Sequence, residues 1–534
     1  MQHFWALTPV MLTLFIAFQT RQMLLAFISG IFSAALIVKN FDIPEAAFFS
    51  ITRLLEKAEL KNLLDANAFW RSEKLFIFIF LICIGSIIEL IRTSGASQAY
   101  ATFIKKHLNG RRQAEYATLG LSMLLFFDDY FNTITTGSVM KQITDLFGIA
   151  RLRCAQLIGN TSAAMAAIMP LSTWGAAIAG TIASAGINLT HDALISLHPF
   201  FTYIWSIPFA IYPLTLIAVT WITVTEGTLI GLAKNRQDLG DLTTDLHGDH
   251  TEHGPQEHHH HHALHAKASL IDFIVPISTL ILSLVLAVLY TGKFYVLGGQ
   301  STFLEAMNNC NLALAMFLSG IYTLLITGSW FIGRKKITLH ELAKSLMNGF
   351  LMMWPSILIL TLSWTFGSII AQDLHIGKII IEQLLPLFSM NYLPPTFFAI
   401  SAITAFCIGS AWGTMTLLYP IAIPMLAQLQ TLSPNLLLYQ TIGAILSGAV
   451  LGNNTSPLSD LSTMTSSITE TKQMDYVQAQ VDFNKPIMWG TLLALILCSI
   501  AEIQSYSLSV GTTLLASIIF SWIGIEVVTK LEKQ

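Results

Sequence analysis

Charged residues are scarce in this chain of 534 residues, because Asp, Glu, Lys and Arg together make up only 11% of it. Soluble domains carry about 25% charged residues. Hydrophobic residues supply 54% of the sequence, and the mean hydropathy is +0.63. An apolar stretch of about 20 residues spans a bilayer, and the chain has about ten such stretches. The composition therefore excludes a soluble globular protein and predicts an all-α polytopic membrane protein in a lipid bilayer.

Other features that the sequence has little of exclude further classes. The formal net charge of −3 gives no reason to expect nucleic acid as a partner. Five scattered cysteines show no CxxC or paired spacing, so neither a disulfide framework nor a thiolate metal site is predicted, and the thiols are expected to be buried. No GxSxG or HExxH stretch is found, so we do not predict an enzyme.

Long apolar runs in lipid predict helices, because their backbone amides must be satisfied internally. Two of the runs, 154–185 and 436–470, are longer than one span needs, and each contains a polar break. Two further stretches, 115–140 and 395–428, carry polar or Gly/Pro interruptions. The spans are expected near 5–20, 22–38, 75–92, 154–185, 200–231, 269–290, 311–331, 349–371, 436–470, 486–503 and 507–529, which makes about 11 spans plus 2 hairpins.

Lys and Arg in the loops predict the orientation. Basic residues in 92–114, 141–153, 332–348 and the C-terminal tail place these segments in the cytoplasm. Loop 39–74 conflicts with this topology, since it is expected outside and yet carries six Lys or Arg balanced by six Asp or Glu.

The same orientation predicts two re-entrant hairpins. Segment 115–140 enters and leaves by the cytoplasmic face, and segment 395–428 enters and leaves by the outer face. Near the cytoplasmic end of the span 75–92, Glu89 precedes Arg92 by three residues. This spacing predicts a structural ion pair.

The chain divides into two similar halves that enter the membrane in opposite senses, as in the inverted repeats of many secondary transporters. Each half has a hairpin and an interrupted helix. Short echoes support the repeat: 159–162 resembles 452–456, and 172–176 resembles 410–414, although the second echo does not fall at equivalent places. The predicted organisation is a first membrane repeat over 1–232, a His-rich cytoplasmic linker over 233–268, a second repeat over 269–503, and an extra helix and tail over 504–534.

Carboxyl, amide and hydroxyl side chains cluster at the hairpin tips and the predicted breaks. Freed backbone groups of discontinuous helices can replace the hydration shell of an ion, and an ionisable residue within the membrane is a functional hypothesis by default. Asp129 and Asp460 are predicted to alternate between a cation and a proton, whereas one of the adjacent pair Asp128 and Asp129 could instead cap the N-terminus of a half-helix. The predicted ion- or substrate-binding residues are Asp128, Asp129, Asn132, Asn160, Thr161, Ser162, Thr173, Trp174, Ser410, Trp412, Thr414, Asn453, Asn454, Thr455, Ser456, Ser459 and Asp460.

Two groups of these residues have a rival structural explanation. Small polar residues also hold membrane helices together. Trp174 and Trp412, which lie beside glycines, could wall a cavity or only pack.

The linker contains nine of the fifteen histidines, including His258, His259, His260, His261 and His262. Such tracts can bind zinc or nickel weakly or change charge between about pH 5 and 8. A disordered cytoplasmic tether is the plainer interpretation, and a metal- or pH-responsive role is the alternative.

Four motifs resemble the NhaC-type sodium/proton antiporter family of the wider ion-transporter superfamily. They occur in the family order between residues 75 and 485. They are 126–132, FFDDYFN; 170–176, PLSTWGA; 410–415, SAWGTM, followed by 420–424, PIAIP; and 456–460, SPLSD.

The resemblance implies an exchanger in the bacterial inner membrane that works by alternating access, with Na⁺ and H⁺ as transported or coupling ions and no cofactor. Family members usually carry an Asp-His pair where this chain has Asn453 and Asn454. That departure motivates a second hypothesis, sodium-coupled transport or exchange of a small organic acid or amino acid. A channel is a further alternative, and a homodimer is left open.

Overall fold

The structure is a computed structural model of the chain. It describes residues 2–20, 23–59, 66–70, 72–170, 172–188, 195–238, 268–302, 306, 310–374, 390–428, 434–501 and 505–531. The histidines at 258–262, predicted as a weak metal site, lie outside the described residues.

Helices dominate the described chain. In chain order they are α1 Gln2–Thr20, α2 Met23–Val38, α3 Ile43–Ala58, α4 Ala66–Phe69, α5 Glu73–Thr93, α6 Ala96–His107, α7 Arg111–Leu124, α8 Asp129–Leu146, α9 Arg151–Ile168, α10 Thr173–Ser184, α11 Pro199–Ser206, α12 Ile211–Glu226, α13 Gly231–Asp238, α14 Leu270–Thr291, α15 Leu312–Gly333, α16 Leu339–Ser368, α17 Leu393–Ile408, α18 Ala411–Gln428, α19 Pro434–Thr455, α20 Asp460–Thr469, α21 Gln473–Ile500 and α22 Tyr506–Leu531.

Short elements complete the fold. Three 3₁₀ turns (Ile207–Phe209, Tyr295–Leu297 and Met390–Tyr392) and one π-helical turn (Ile369–Asp373) extend or join helices. Two strands of two residues each, β1 Ile187–Asn188 and β2 Ile195–Ser196, pair in parallel with Ile187 opposite Ile195.

The prediction of an all-α polytopic membrane protein is confirmed. Within the described ranges, 9 helices are long and apolar enough to cross a membrane, or up to 10 if the bent pair α9 and α10 counts as one span. Eleven spans were expected. The difference arises partly because α2 has only 16 residues, fewer than the ~20 that a bilayer core requires.

The first predicted break is wrong in its position. Residues 159–162 lie inside the continuous helix α9, which ends only at Ile168. The chain bends by 46° between α9 and α10, at a segment that contains Pro170. Proline has no backbone N–H and restricts the residue before it, so a helix ends here more readily than at Asn160 or Thr161.

The second predicted break is shifted in the same direction. Residues 452–455 form the last turn of α19, and the break runs from Ser456 to Ser459, where Pro457 lies. Both interrupted helices therefore break next to a proline, and the Asn-rich segments lie just before that point or further inside the helix.

The chain contains two compact units. Unit 1 comprises Met1–Lys57, Gly110–Thr244 and Ile359–Gln534, and unit 2 comprises Ala58–Asn109 and Asp245–Leu358. Both predicted hairpins and both interrupted helices belong to unit 1. The division of the sequence into two consecutive repeats stays a prediction.

Unit 2 is built on α5, α6, α14 and α15, which pack against one another. Helix α5 begins after Ser72, whose side chain accepts a hydrogen bond from the Leu75 amide. Near its other end, Glu89 and Arg92 lie 3.4 Å apart, which confirms the predicted ion pair, and Asn348 donates to Glu89 at 3.1 Å.

Unit 1 contains the same local pattern twice. Helices α7 and α8 are joined by a break, as are α9 and α10, and this order recurs in α17 to α20. We call α7 to α10 the first half of unit 1 and α17 to α20 the second half. Helix α17 packs closely along α19 because Gly448 and Gly452 have no side chain. A Cβ atom at Gly448 would lie 2.3 Å from the Phe398 carbonyl, and one at Gly452 would lie 2.3 Å from the Ala402 carbonyl.

Candidate functional site

Asp128 and Asp129 lie at the break between α7 and α8, and both are buried, with 3% and 4% of their surface exposed. Asp128 is the N-cap of α8: its backbone is extended and its Oδ1 accepts a hydrogen bond from the Phe131 amide at 2.9 Å. Asp129 is the first residue of that helix. The backbone N–H groups of Asp129 and Tyr130 face its carboxylate. A carboxylate at a helix N-terminus is favoured by the helix dipole.

The break before α10 meets the break before α8. The Thr173 amide donates to the Phe127 carbonyl at 2.8 Å, and the Thr173 hydroxyl donates to Asp128 Oδ2 at 3.1 Å. Ser172 caps α10 by accepting from the Gly175 amide at 3.1 Å. The two interruptions of the first half of unit 1 are therefore held together by hydrogen bonds.

The two breaks of the second half also meet. Gly409 ends α17 with a φ of 75°, a conformation that favours glycine, and a Cβ there would lie 2.5 Å from the Leu458 carbonyl. Ser456 donates to the Phe406 carbonyl at 2.6 Å. Ser410 then starts α18 by accepting from the Gly413 amide at 3.1 Å.

Two contacts connect the halves at the level of the carboxylates. The Tyr130 hydroxyl, from the first half, lies within hydrogen-bonding reach of the Asp460 carboxylate from the second. The indole rings of Trp174 and Trp412 meet edge to face, with centroids 5.7 Å apart and an interplanar angle of 73°. The structure therefore brings Asp128, Asp129 and Asp460 into one region.

The half-helices α8 and α20 lie side by side and run in the same direction. Tyr130 and Asp460 meet at their beginnings. A Cβ at Gly137, in the middle of α8, would lie 2.4 Å from Ile468, in the last turn of α20. Both helices therefore direct their N-termini, where backbone N–H groups have no intrahelical partner, at the same group of carboxylates.

Helices α10 and α18 form the corresponding second pair. They enclose a small cavity with a volume of about 10 Å³, close to the room that one water molecule needs. The cavity is lined by Trp174, Ala177, Ile178, Thr181, Trp412, Met415, Thr416 and Tyr419. The pairing accounts for the sequence echo of 172–176 and 410–414: the two segments begin the two helices that face each other.

Polar residues behind the first hairpin form a closed network. Ser122 donates to Asn132 Oδ1 at 2.8 Å and lies 2.6 Å from the Thr161 hydroxyl. Asn132 donates to the Ser122 carbonyl at 2.6 Å, and Thr136 donates to Asn132 at 3.0 Å. Asn132 therefore hydrogen-bonds to α7 through Ser122, whereas Thr161 contacts Ser122 and donates to the Leu157 carbonyl of its own helix, as the structural explanation of these residues expected.

The remaining predicted residues fall into two groups. Thr414 and Thr455 donate to carbonyls of their own helices, at 2.9 and 2.8 Å. Asn453 accepts from Ser459 at 2.9 Å across the break before α20. These contacts stabilise the breaks and helix ends.

Three of the predicted residues, all buried, keep polar atoms without a well-aligned hydrogen-bond partner within the described part of the chain. They are Asn160 through Oδ1, Ser162 through Oγ, and Asn454 through both side-chain atoms, although the Asn454 amide faces the Tyr212 hydroxyl. Asn160 does donate to Thr220 at 3.2 Å. A buried polar atom without a partner costs about 1–3 kcal/mol, so these atoms are sites where a water molecule or a ligand would stabilise the fold.

Sequence reasoning missed the partner residues of the site. Tyr130 lies inside a quoted motif, but its contact with Asp460 joins positions far apart in sequence. Tyr212 donates to Asn484 at 2.7 Å, and Asn484 continues to Gln480. Their polar side chains in apolar helices were the available signal.

A model of the Na⁺/H⁺ antiporter family matches residues 196–500, more than half of the 534 residues. The chain belongs to this family. The match confirms the resemblance that the four motifs indicated. The chain is therefore a secondary transporter, and its long apolar helices make it a multi-pass membrane protein.

Individual relatives are more distant. An uncharacterized protein of Haemophilus influenzae is 25% identical to this antiporter-family chain over 495 residues, which cover 92% of the chain and 90% of that protein. The YdaH transporter of Alcanivorax borkumensis, whose crystal structure reveals an unusual topology, is 17% identical with a TM-score of 0.44, over 87% of this chain and 90% of that one. MtrF of Neisseria gonorrhoeae, which illuminates a class of antimetabolite efflux pumps, is 14% identical with a TM-score of 0.46, over 88% and 83%.

Proposed function

We propose that this protein exchanges Na⁺ for H⁺ across a bacterial inner membrane by alternating access. The observation that carries the proposal is the meeting of Asp128, Asp129 and Asp460, from two different halves of unit 1, at the N-termini of α8 and α20. A carboxylate can hold a cation or a proton, and occupation by one displaces the other. Competition for Asp129 and Asp460 therefore supplies a simple exchange mechanism.

The surroundings of the carboxylates favour a small ion. Sodium prefers oxygen ligands, and broken helices provide carbonyl, hydroxyl and carboxylate oxygens close together.

Inside-out vesicles test the proposal. After a pH gradient is imposed, added Na⁺ should dissipate it with the wild-type protein, and Asp129→Asn and Asp460→Asn should abolish the response. Asp475→Asn is the matched control, because Asp475 pairs with Arg236 at 2.9 Å away from the breaks and should leave exchange intact. No Na⁺-dependent signal with the wild type, or full exchange by both site variants, would rule the proposal out.

Sodium-coupled transport of a small organic acid or amino acid is the second candidate. It is favoured by Asn454, whose buried amide faces the Tyr212 hydroxyl but makes no well-aligned hydrogen bond through its donor or its acceptor in the described part of the chain. A carboxylic acid or an amide could complement both atoms. Uptake of labelled substrates into proteoliposomes, with and without a Na⁺ gradient, separates the candidates: no sodium-stimulated uptake from the panel removes the second.

A further inference from the structure

The first turn of α10 contacts the two adjacent carboxylates one by one. Thr173 donates to Asp128 Oδ2 at 3.1 Å, and the next residue, Trp174, donates from Nε1 to Asp129 Oδ1 at 3.0 Å. The Thr173 amide anchors this turn by its bond to the Phe127 carbonyl. The indole and the carboxylate therefore have a fixed relative position.

The bond from Trp174 is costly to lose. The side chain is completely buried, and an indole has one donor and no acceptor. A buried indole N–H usually finds a partner, and here the partner is the carboxylate assigned to the cargo ion. Hydrogen bonds to charged groups are about twice as strong as those between neutral groups, so this one strongly constrains the orientation of Asp129.

The same ring also contacts the second half of the unit. Trp412, in the first turn of α18, meets Trp174 edge to face at 5.7 Å, and both rings line the cavity between α10 and α18. Because the two rings are in contact, a movement of the Trp174 ring would displace the Trp412 ring.

We propose that Trp174 is a positioning residue of the transport site, whose indole N–H holds Asp129 in the orientation that binds the cargo ion. When Asp129 exchanges the ion for a proton, the Trp174 ring shifts and displaces Trp412 in the second half. The proposal rests on the proposed exchange function and adds a residue that acts through Asp129. Simple aromatic packing is the competing explanation. It predicts that phenylalanine replaces Trp174 without consequence for ion affinity.

Kinetics of Na⁺-driven exchange in inside-out vesicles distinguish the two explanations. Trp174→Phe keeps a ring and removes the donor, and it should raise the half-saturating Na⁺ concentration about tenfold or more, since ~1.4 kcal/mol corresponds to a factor of ten. The rise should be largest at acid pH, where protons compete most. Trp174→His retains a ring N–H and should recover part of the affinity.

Variants at other tryptophans control for packing. Trp364→Phe alters another completely buried tryptophan of unit 1 and should leave the half-saturating Na⁺ concentration unchanged. Trp412→Ala removes the aromatic contact with Trp174 and should raise the half-saturating Na⁺ concentration. Wild-type affinity and pH profile in Trp174→Phe, or an equal loss in Trp364→Phe, would overturn the proposal. Normal exchange in Asp129→Asn alone would also overturn the Trp174 proposal, and normal exchange in both Asp129→Asn and Asp460→Asn would contradict the exchange function itself.

A measurement on the wild-type protein covers the case in which Trp174→Phe does not accumulate. Na⁺ should change the tryptophan emission of the purified protein, because ion binding changes the charge on the Asp129 carboxylate that accepts the Trp174 hydrogen bond. Asp129→Asn should abolish this change. An emission that Na⁺ leaves unaltered, in a protein that exchanges Na⁺, would overturn the proposal.

Discussion

Lys141 Nζ lies 2.8 Å from Glu470 Oε1 and so joins the C-terminal ends of α8 and α20. Arg151, at the start of α9, contacts the other oxygen of Glu470 and also pairs with Asp145 at 3.0 Å. The two half-helices that present Asp129 and Asp460 at one end are thus tied together by charge at the other. These ion pairs fix the position of α8 relative to α20 along the helix axes. They therefore contribute to stability and to the geometry of the site.

Glu470→Gln should lower stability at neutral pH and have little effect in acid. The hydrogen bond from Lys141 holds the pKa of the Glu470 carboxyl below its usual range. The stabilisation is therefore present above the unfolded pKa of about 4.3 and is lost as the pH falls through the folded value. Glu470 is 41% exposed, so a loss of about 1 kcal/mol is expected.

Thermal unfolding of the detergent-solubilised protein measures this difference. The control is Glu526→Gln, which removes an exposed pair to Lys530 at 3.7 Å and should leave the midpoint unchanged. A Glu470→Gln protein as stable as wild type at neutral pH would contradict the prediction, as would a deficit that persists in acid.

The positions of the breaks show where sequence reasoning succeeded and where it failed. Asn160 and Thr161 were expected to interrupt a helix. Their polar groups are instead accommodated within it, because Thr161 donates to the Leu157 carbonyl at 2.8 Å and Asn160 reaches Thr220. The prolines at 170 and 457 lie at the observed breaks, where each removes a backbone donor. Proline alone would not have located them, because Pro276, Pro355 and Pro486 lie inside continuous helices.

Contacts between the halves could not be predicted from one sequence. The hydropathy pattern predicted the helices because burial in lipid acts on each segment separately. The contacts of Tyr130 with Asp460 and of Trp174 with Trp412 depend on packing between distant segments. The similar segments around the two tryptophans did carry information, but it concerned which helices pair and not which positions are equivalent in a repeat.

Asp128 and Asp129 should differ in function although they are adjacent. Asp128 uses Oδ1 for the Phe131 amide and Oδ2 for Thr173, so its main task is to hold the breaks together. Asp128→Asn keeps an acceptor for the cap and should retain part of the exchange activity, whereas Asp129→Asn should abolish it. Asp128→Ala removes the cap and should cost about 0.5–2 kcal/mol in stability.

Exchange rates and thermal midpoints of the three variants test this assignment. The assignment is supported if Asp129→Asn loses exchange activity but keeps the wild-type thermal midpoint, and if Asp128→Ala has a lower thermal midpoint. Equal loss of exchange in Asp128→Asn and Asp129→Asn would show that both carboxylates bind the ion.

Gly409→Ala should disrupt the second hairpin. The φ of 75° costs a residue with a side chain about 1–2 kcal/mol, and the new Cβ would lie 2.5 Å from the Leu458 carbonyl. Two controls separate these causes. Gly298→Ala has a similar φ of 88° in open space, and Gly511→Ala lies in open space within α22.

Membrane accumulation and thermal stability should therefore fall most in Gly409→Ala, less in Gly298→Ala and not at all in Gly511→Ala. If Gly409→Ala and Gly298→Ala lose equal stability, the contact with Leu458 contributes nothing.

Gly159→Ala should destabilise the packing of α9 against α21. A Cβ at Gly159 would lie 2.0 Å from the Tyr476 hydroxyl and 2.3 Å from Gln480 Nε2, and overpacking of this kind costs about 1–3 kcal/mol. Removing the hydroxyl makes room, so Tyr476→Phe combined with Gly159→Ala should recover part of the loss. Gly120→Ala, which meets open space on α7, is the control and should not destabilise the protein, because alanine is favoured over glycine inside a helix by about 1 kcal/mol. Because the two changes touch, their free energies of unfolding should not add; a double variant as unstable as the sum of the single ones would show that the helices separate rather than repack.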